Sequence, residues 1–274
     1  MADNPLVSVI TPVLNGIRYL EECIQSVLNQ RYPYTEHIFV DGGSTDGTLD
    51  MLTSYNVRYP DRIRFISEPD KNAREAWNKG WEIARGDIFG WLGSDDLYEP
   101  DAILLVVDFF RANLDAYFVF GACNFFMDGT NKIFRQIGNR DYKLDELIND
   151  DCYVAAQSAF YKREVIDKIG YMDTSLYGCD LDFWIRAGKV FRIYRIEKVL
   201  SRQRFHPGSI TVYKGAEIYP REGFIISRRH GGRLLSNYAK RYYRYLIMKF
   251  LRLGPTRRFL GKVLRKYHLI ADRD

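Results

Sequence analysis

Ile88-Phe89-Gly90-Trp91-Leu92-Gly93-Ser94-Asp95-Asp96-Leu97-Tyr98 is an apolar run that ends abruptly in two adjacent carboxylates. An apolar run of this length, bounded by Gly and Asp, predicts a buried strand. Acidic groups at the carboxyl end of a strand stand where open α/β sheets hold their ligands. Side chains alternate along a strand, so Asp95 and Asp96 point in different directions. Neighbouring carboxylates repel unless a cation or hydroxyl groups satisfy them. A solvated Asp-Asp turn and a divalent-metal site both fit this stretch taken alone.

Upstream, strand and helix alternate. Leu6 to Pro12 predicts a buried first strand, and Leu20, Cys23, Ile24, Val27 and Leu28 mark a helix over Ile17 to Asn29. A second strand, Tyr34 to Val40, runs into Asp41-Gly42-Gly43-Ser44-Thr45-Asp46-Gly47-Thr48, which has the composition of a tight turn and a helix N-cap. A helix over Thr48 to Tyr55, a strand over Arg62 to Ser67 and a helix over Asn72 to Ala84 follow. Four strand–helix alternations predict a mostly parallel sheet flanked by helices.

Downstream the pattern is mixed. A helix over Pro100 to Ala112 precedes a strand over Ala116 to Met127, with Asp128-Gly129-Thr130 as a hairpin turn. Gln157 to Tyr161 and Phe191 to Val199 read as strands, and Arg163 to Ile169 and Asp180 to Ala187 as helices. From about Ala216 the chain reads as helical, aromatic and basic. Thr256 to Tyr267, beyond the break at Gly254-Pro255, has one apolar and one Lys/Arg face. The expected organisation is one α/β domain, 1–215, with a basic helical extension, 216–274.

Charge follows the same division. The chain of 274 residues has net charge +5, yet residues 231–274 hold twelve Lys/Arg against two Asp, leaving the body mildly acidic. The basic end could meet an anionic membrane, nucleic acid or an acidic partner. No nucleic-acid-reading motif accompanies it, so no nucleic-acid partner is expected. Cys23, Cys123, Cys152 and Cys179 form no CxxC pair and no zinc spacing, which predicts free thiols in a reducing cytoplasm. No signal-peptide pattern and no run of about 20 apolar residues are present in the sequence.

Polar residues gather at the strand ends: Thr11 to Asn15, Asp41 to Thr48, Asp95-Asp96, and later Asp180-Leu181-Asp182. No GxGxxG or P-loop lysine is present, which argues against those nucleotide folds. In order along residues 6–212, the chain resembles the inverting family 2 glycosyltransferases of bacterial polysaccharide biosynthesis, with the GT-A fold. The matching stretches are Thr11-Pro12-Val13-Leu14-Asn15, Phe39 to Thr48, Asp70, Glu75 to Gly80, Ala84 to Ile88, Gly93-Ser94-Asp95-Asp96, Gly170 to Asp173, Asp180 to Arg186, and Arg204 to Ile210.

The resemblance implies a role for each matched position. Thr11 and Pro12 would line the base pocket, and Asp41 would accept from a ring N–H of the base. Asn15, Asn78, Ser94, Asp95 and Arg204 would join them around the nucleotide sugar, with Asp95 on the ribose or sugar. Asp96 would ligate Mn²⁺ or Mg²⁺ across the diphosphate, with His206 beside it. Asp180 would be the general base for the acceptor hydroxyl, preferred over Asp182. The implied partners are a nucleotide-diphosphate sugar and a saccharide or lipid-linked saccharide, at the inner face of the cell membrane. Two positions depart from the pattern: Gly93 stands where the family often has an acid, and Cys179 where it often has Glu. A sugar-nucleotide nucleotidyltransferase, the rival enzyme, would need a Gly-rich basic loop after the first strand, and Thr11 to Gly16 is not one. A non-catalytic nucleotide- or nucleic-acid-binding module is the other alternative.

Overall fold

A computed structural model of the chain describes residues 4–69 and 72–252. Asp70 and the basic helix expected over 256–267 lie outside the described residues. The first half follows the expected alternation: β1 (Val7–Val13), α1 (Ile17–Leu28), β2 (Thr35–Asp41), α2 (Thr48–Arg58), β3 (Ile63–Ser67), α3 (Ala73–Ile83) and β4 (Ile88–Trp91). Asn72 caps α3, its side-chain oxygen accepting from the amides of Arg74 and Glu75 at 3.0 and 3.2 Å.

The second half comprises β5 (Leu97–Tyr98), α4 (Ala102–Ala112), β6 (Phe118–Met127), β7 (Ile133–Ile137), α5 (Leu144–Asn149), β8 (Ala159–Lys162), α6 (Arg163–Ile169), α7 (Cys179–Val190), β9 (Ile193–Phe205), α8 (Ile210–Arg229) and α9 (Asn237–Arg252). The Asp95-Asp96 doublet thus sits in the turn between β4 and β5. β9 runs six residues beyond the expected end because its polar stretch, Arg202 to Phe205, pairs with the second half of β6. Helix also begins before Ala216, since α8 starts at Ile210 and carries Pro220 within it.

The sheet has nine strands in the order β3-β2-β1-β4-β8-β6-β9-β5, with β7 paired to β6. β3, β2, β1 and β4 are mutually parallel, and β8 enters antiparallel to β4. This is the α/β, mostly parallel mixed sheet flanked by helices that the sequence predicts. All seven residues of β2 are buried, because helices cover both faces of the sheet.

One face carries α3 and α7, where Trp81, Trp91, Trp184, Tyr161 and Phe183 form an aromatic core. Of the three tryptophans on these two helices, Trp81 and Trp184 are core residues, and Trp77 is partly buried against them. The other face packs α1 and α4 through Cys23, Val27, Ile103, Val106 and Phe110. Gly80 lets α3 press onto β1, since a Cβ there would lie 2.3 Å from Ile10 Cγ2. Ile226 of α8 and Tyr238 of α9 join the aromatic core. All four cysteines are free.

Candidate active site

The parallel order brings the loops after β1, β2 and β4 to one edge. The first two loops are stitched together. The Asn15 amide donates to Ser44 Oγ at 2.7 Å, the Thr45 amide to Asn15 Oδ1 at 2.9 Å, the Gly16 amide to Thr48 Oγ1 at 3.0 Å, and the Ile17 amide to Asp46 Oδ2 at 3.1 Å. Asn15 has φ +51°, a conformation that Asn tolerates better than most residues. Burial pushes the Asp46 carboxyl up, but the Thr48 hydroxyl and the Ile17 and Thr48 amides outweigh it and hold the group below its usual range.

Asp41 is wholly buried at the end of β2. It accepts from the amides of Gly43 and Ser44 and, at 2.6 Å, from Ser67 Oγ. Thr11 is buried too, its hydroxyl 2.8 Å from His37 Nε2, whereas Pro12 on the opposite face of β1 is half-buried. Thr11 therefore meets the strand-end edge through the backbone, with its side chain committed to His37.

The two acids of the doublet have different surroundings. Asp96 is 3% exposed; Oδ2 accepts from Gln157 Nε2 at 2.7 Å and Oδ1 from the Arg204 amide at 2.9 Å. Burial, and then the neighbouring Asp95, push the Asp96 carboxyl well above the usual carboxylate range, against those donors. Asp95 keeps 28% of its side chain exposed, and its Oδ2 lies 2.9 Å from His206 Nε2. The acid with an open face is thus Asp95, not the Asp96 expected at a metal. Ser94 is half-buried in the same turn.

Gly93 precedes them where an acid is often found. A Cβ there would lie 2.7 Å from Asp96 Oδ2 and 2.9 Å from Asp95 Oδ1, so the two carboxylates occupy the space a side chain would need. Buried Cys23 donates to the Gly93 carbonyl at 3.4 Å, and burial raises its thiol pKa well above the usual value.

Arg204 is 5% exposed, and each guanidinium nitrogen is engaged. Nε donates to the Asp95 carbonyl at 3.0 Å, Nη1 to Asp128 at 3.1 Å and Nη2 to Glu22 at 2.8 Å. Expected beside the nucleotide sugar, Arg204 instead spends its donors on the acids and backbone around Asp95. Asn78 likewise exchanges two hydrogen bonds with the Met172 backbone and fixes the loop after α6.

Asp180 and Asp182 share the first turn of α7, where the helix dipole favours negative charge. Asp180 is half-buried and its Oδ1 accepts from the Leu181 amide at 2.8 Å. Burial pushes its carboxyl above the usual range, and the Leu181 amide opposes this only in part. Asp182, 2% exposed, accepts from Arg186 Nε at 2.8 Å and from His230. Arg186 also donates to the carbonyls of Ile169 and Tyr171, so it is a structural residue. Glu22, Tyr19, Asp128 and Gln157 are neighbours of the doublet that no motif announces. Asp128 was legible only as part of a hairpin turn.

Glycosyl transferase family 2 is the family description that matches residues 8–170, more than half of the chain. The chain belongs to glycosyl transferase family 2. A chondroitin synthase of Escherichia coli is 42% identical over 110 residues, 40% of this chain and 16% of that protein. An uncharacterised glycosyltransferase of Rickettsia typhi is 30% identical over 221 residues, 76% of this chain and 66% of that protein. Thus the chain spans less than two thirds of the length of each of these two relatives. Among solved structures, a mannosyltransferase of Pyrobaculum calidifontis in complex with GDP-Man and Mn²⁺ superposes with TM-score 0.64 at 19% identity, covering 83% of this chain and 65% of that one. That likeness supports the GT-A fold.

Proposed function

We propose that the protein is an inverting glycosyltransferase that moves a sugar from a nucleotide-diphosphate sugar to a hydroxyl of a saccharide acceptor in cell-surface polysaccharide synthesis. The observation that carries this reading is the part-exposed Asp95–His206 pair at the sheet edge that also carries Asn15 and Ser44, within a family 2 sequence. The name of the chondroitin synthase relative supports a polysaccharide product.

A divalent cation suits this pair. Among the described residues no group of three or more His, Cys, Asp or Glu side chains could hold a metal. Asp95 and His206 alone supply one oxygen and one nitrogen, and Mg²⁺-type sites commonly complete themselves with phosphate oxygens and water. Mn²⁺ or Mg²⁺ held there would neutralise charge on the departing diphosphate. In this reading Asp95 and His206 carry the metal, while Asp96 fixes the turn against β9. Ser94 and Pro12 meet the nucleotide, on an edge whose loop amides are spent on holding the two loops together.

Asp180 is the base. Its raised carboxyl pKa brings it nearer to working pH than an ordinary carboxylate, which favours proton abstraction. Asp182 is spent on Arg186 and His230. As Asp180 takes the acceptor's proton, the acceptor oxygen bonds to the anomeric carbon. The bond from that carbon to the diphosphate breaks on the opposite face, and its electron pair leaves with the nucleoside diphosphate. One displacement inverts the configuration.

The test is a thermal-shift panel of UDP-, GDP- and dTDP-sugars with and without Mn²⁺. One donor at about 100 times its Kd should stabilise the protein by about 2.7 kcal/mol, and only with metal. No shift with any donor would overturn the reading.

We read residues 1–215 as the transferase body and 216–274 as an extension, whose described residues Ile226 and Tyr238 pack against the body. On α9, Tyr243, Leu246 and Phe250 are exposed at i, i+3 and i+7, beside Lys240 and Lys249. Such a stripe adsorbs to anionic lipid through apolar burial plus about 1 kcal/mol per basic residue near the surface. Among the described residues no helix is long and apolar enough to cross a membrane. A lipid-linked acceptor at the inner face of the cell membrane fits this surface. In vesicle co-sedimentation the Leu246→Asp/Phe250→Asp double variant should lose binding to anionic vesicles; equal binding would remove the membrane role.

A further inference from the structure

We infer that Asp128, in the turn between β6 and β7, is a positioning residue for the Asp95–His206 pair. The inference rests on the donor-site reading above. Asp128 Oδ1 accepts from Arg204 Nη1 at 3.1 Å, and Arg204 Nε donates to the Asp95 main-chain carbonyl at 3.0 Å. Asp128 Oδ2 accepts from the Tyr19 hydroxyl at 2.7 Å, and the Tyr19 ring lies with its centroid 4.8 Å from that of His206. His206 Nε2 returns to Asp95 Oδ2 at 2.9 Å. Two arms therefore leave one carboxylate and meet again at one residue, one on its backbone and the other on its side chain.

The loop is closed and largely dry. Arg204 and Tyr19 are buried, and the Asp128 side chain is 19% exposed. Arg18 adds a third donor to Asp128 Oδ2 at 3.0 Å from the outside. A hairpin turn would need none of this, since the Asp128 amide already donates to the Phe205 carbonyl and the Thr130 amide to the Met127 carbonyl. The carboxylate serves α1 and β9 instead. Asp128→Asn keeps the shape but turns one acceptor oxygen into a donor. Facing Arg204, that nitrogen opens the arm to the guanidinium; facing Tyr19, it makes the hydroxyl turn and accept and expels Arg18, and in both cases the charge-assisted hold on Arg204 is lost. Arg204 then holds the Asp95 backbone less firmly, and a metal pair needs its supporting contacts.

The experiment titrates Mn²⁺ into the full chain in the presence of UDP, GDP or dTDP and follows free Mn²⁺ by electron paramagnetic resonance. Asp128→Asn should weaken Mn²⁺ uptake about tenfold, and excess Mn²⁺ should restore kcat. Asp128→Glu, which retains two acceptor oxygens, should recover most of the affinity. If Asp128→Asn does not fold, Tyr19→Phe cuts one arm while keeping the ring and should weaken uptake about threefold. Asp108→Asn, an exposed acid paired with Arg111 on α4, should leave uptake unchanged and controls for a general charge effect. Wild-type uptake matched by whichever of Asp128→Asn and Tyr19→Phe folds would overturn the positioning role alone. A wild-type chain that takes up Mn²⁺ with none of the three nucleotides would sink the donor-site reading and this inference together.

Discussion

His230 Nε2 donates to Asp182 Oδ1 at 2.9 Å and ties the end of α8 to the first turn of α7. Lys189 Nζ lies 2.9 Å from the other ring nitrogen, so both sides of the ring are engaged. The helix that carries Asp180 is therefore held from behind by the C-terminal part of the chain.

Asp182→Ala should destabilise the fold by roughly 3 kcal/mol, because Arg186 and His230 are left without their buried partner. Burial alone would raise the Asp182 carboxyl, but His230 and Arg186 outweigh it and hold it below its usual range. A depressed carboxyl contributes stability that is present above its unfolded value, about 4, and lost as pH falls through the lower folded one. Urea unfolding at pH 7 and at pH 3 should show a smaller gap between wild type and Asp182→Asn at the lower pH. An equal gap at both would count against the pairing.

Asp180→Asn should cut turnover about 10²–10⁴-fold while donor binding persists. The folded protein raises this carboxyl, so above the unfolded value, near 4, it bears the cost of a buried charge that the amide does not carry. The variant should therefore melt at a higher temperature than wild type at pH 7. Calorimetry together with nucleoside-diphosphate release checks both halves; retained turnover would move the base elsewhere.

His37 gives a second pH signature. Burial first, and the Arg62 charge second, lower its pKa to about 3. An unfolded histidine binds a proton below about pH 6.5, which the folded one refuses until far lower pH. Stability should thus rise with pH between about 3 and 6.5, with a contribution approaching 1.4 kcal/mol per pH unit. His37→Gln should remove that contribution to the slope, as read from denaturant midpoints at pH 4, 5 and 6. An unchanged slope would show that the ring titrates normally.

Gly93→Ala should cost about 1–3 kcal/mol, the usual range for overpacking, because Asp96 cannot retreat from Gln157 and Arg204. Gly93→Asp adds a third carboxylate beside the pair and should also weaken donor binding. A Gly93→Asp protein as stable as wild type, with tighter donor binding, would show that the position had room for the acid that often stands there.

The sheet was legible because its parallel half is local: each strand is bounded by its own turn residues, and each helix shows its own apolar spacing. The division between Asp95 and Asp96 was not. Which acid is enclosed depends on Gln157 and the Arg204 amide, 61 and 108 residues further along the chain. Arg204 reads in sequence as a cation available to phosphate; only the fold shows Glu22 and Asp128 taking its donors. β9 was cut short because Arg202, Gln203 and Arg204 look like a loop until β6 pairs with them.

Five hydrogen bonds join the loop after β1 to the loop after β2, four through Asn15, Gly16, Ile17 and Thr45 and the fifth from the Gly42 amide to the Val13 carbonyl. The rim on which a nucleotide would rest is consequently shaped during folding rather than at the moment of contact. Its backbone directions are already set, so little affinity need be surrendered to arranging them. Selectivity at this edge then comes from refusing a base of the wrong outline, and not from adapting to it.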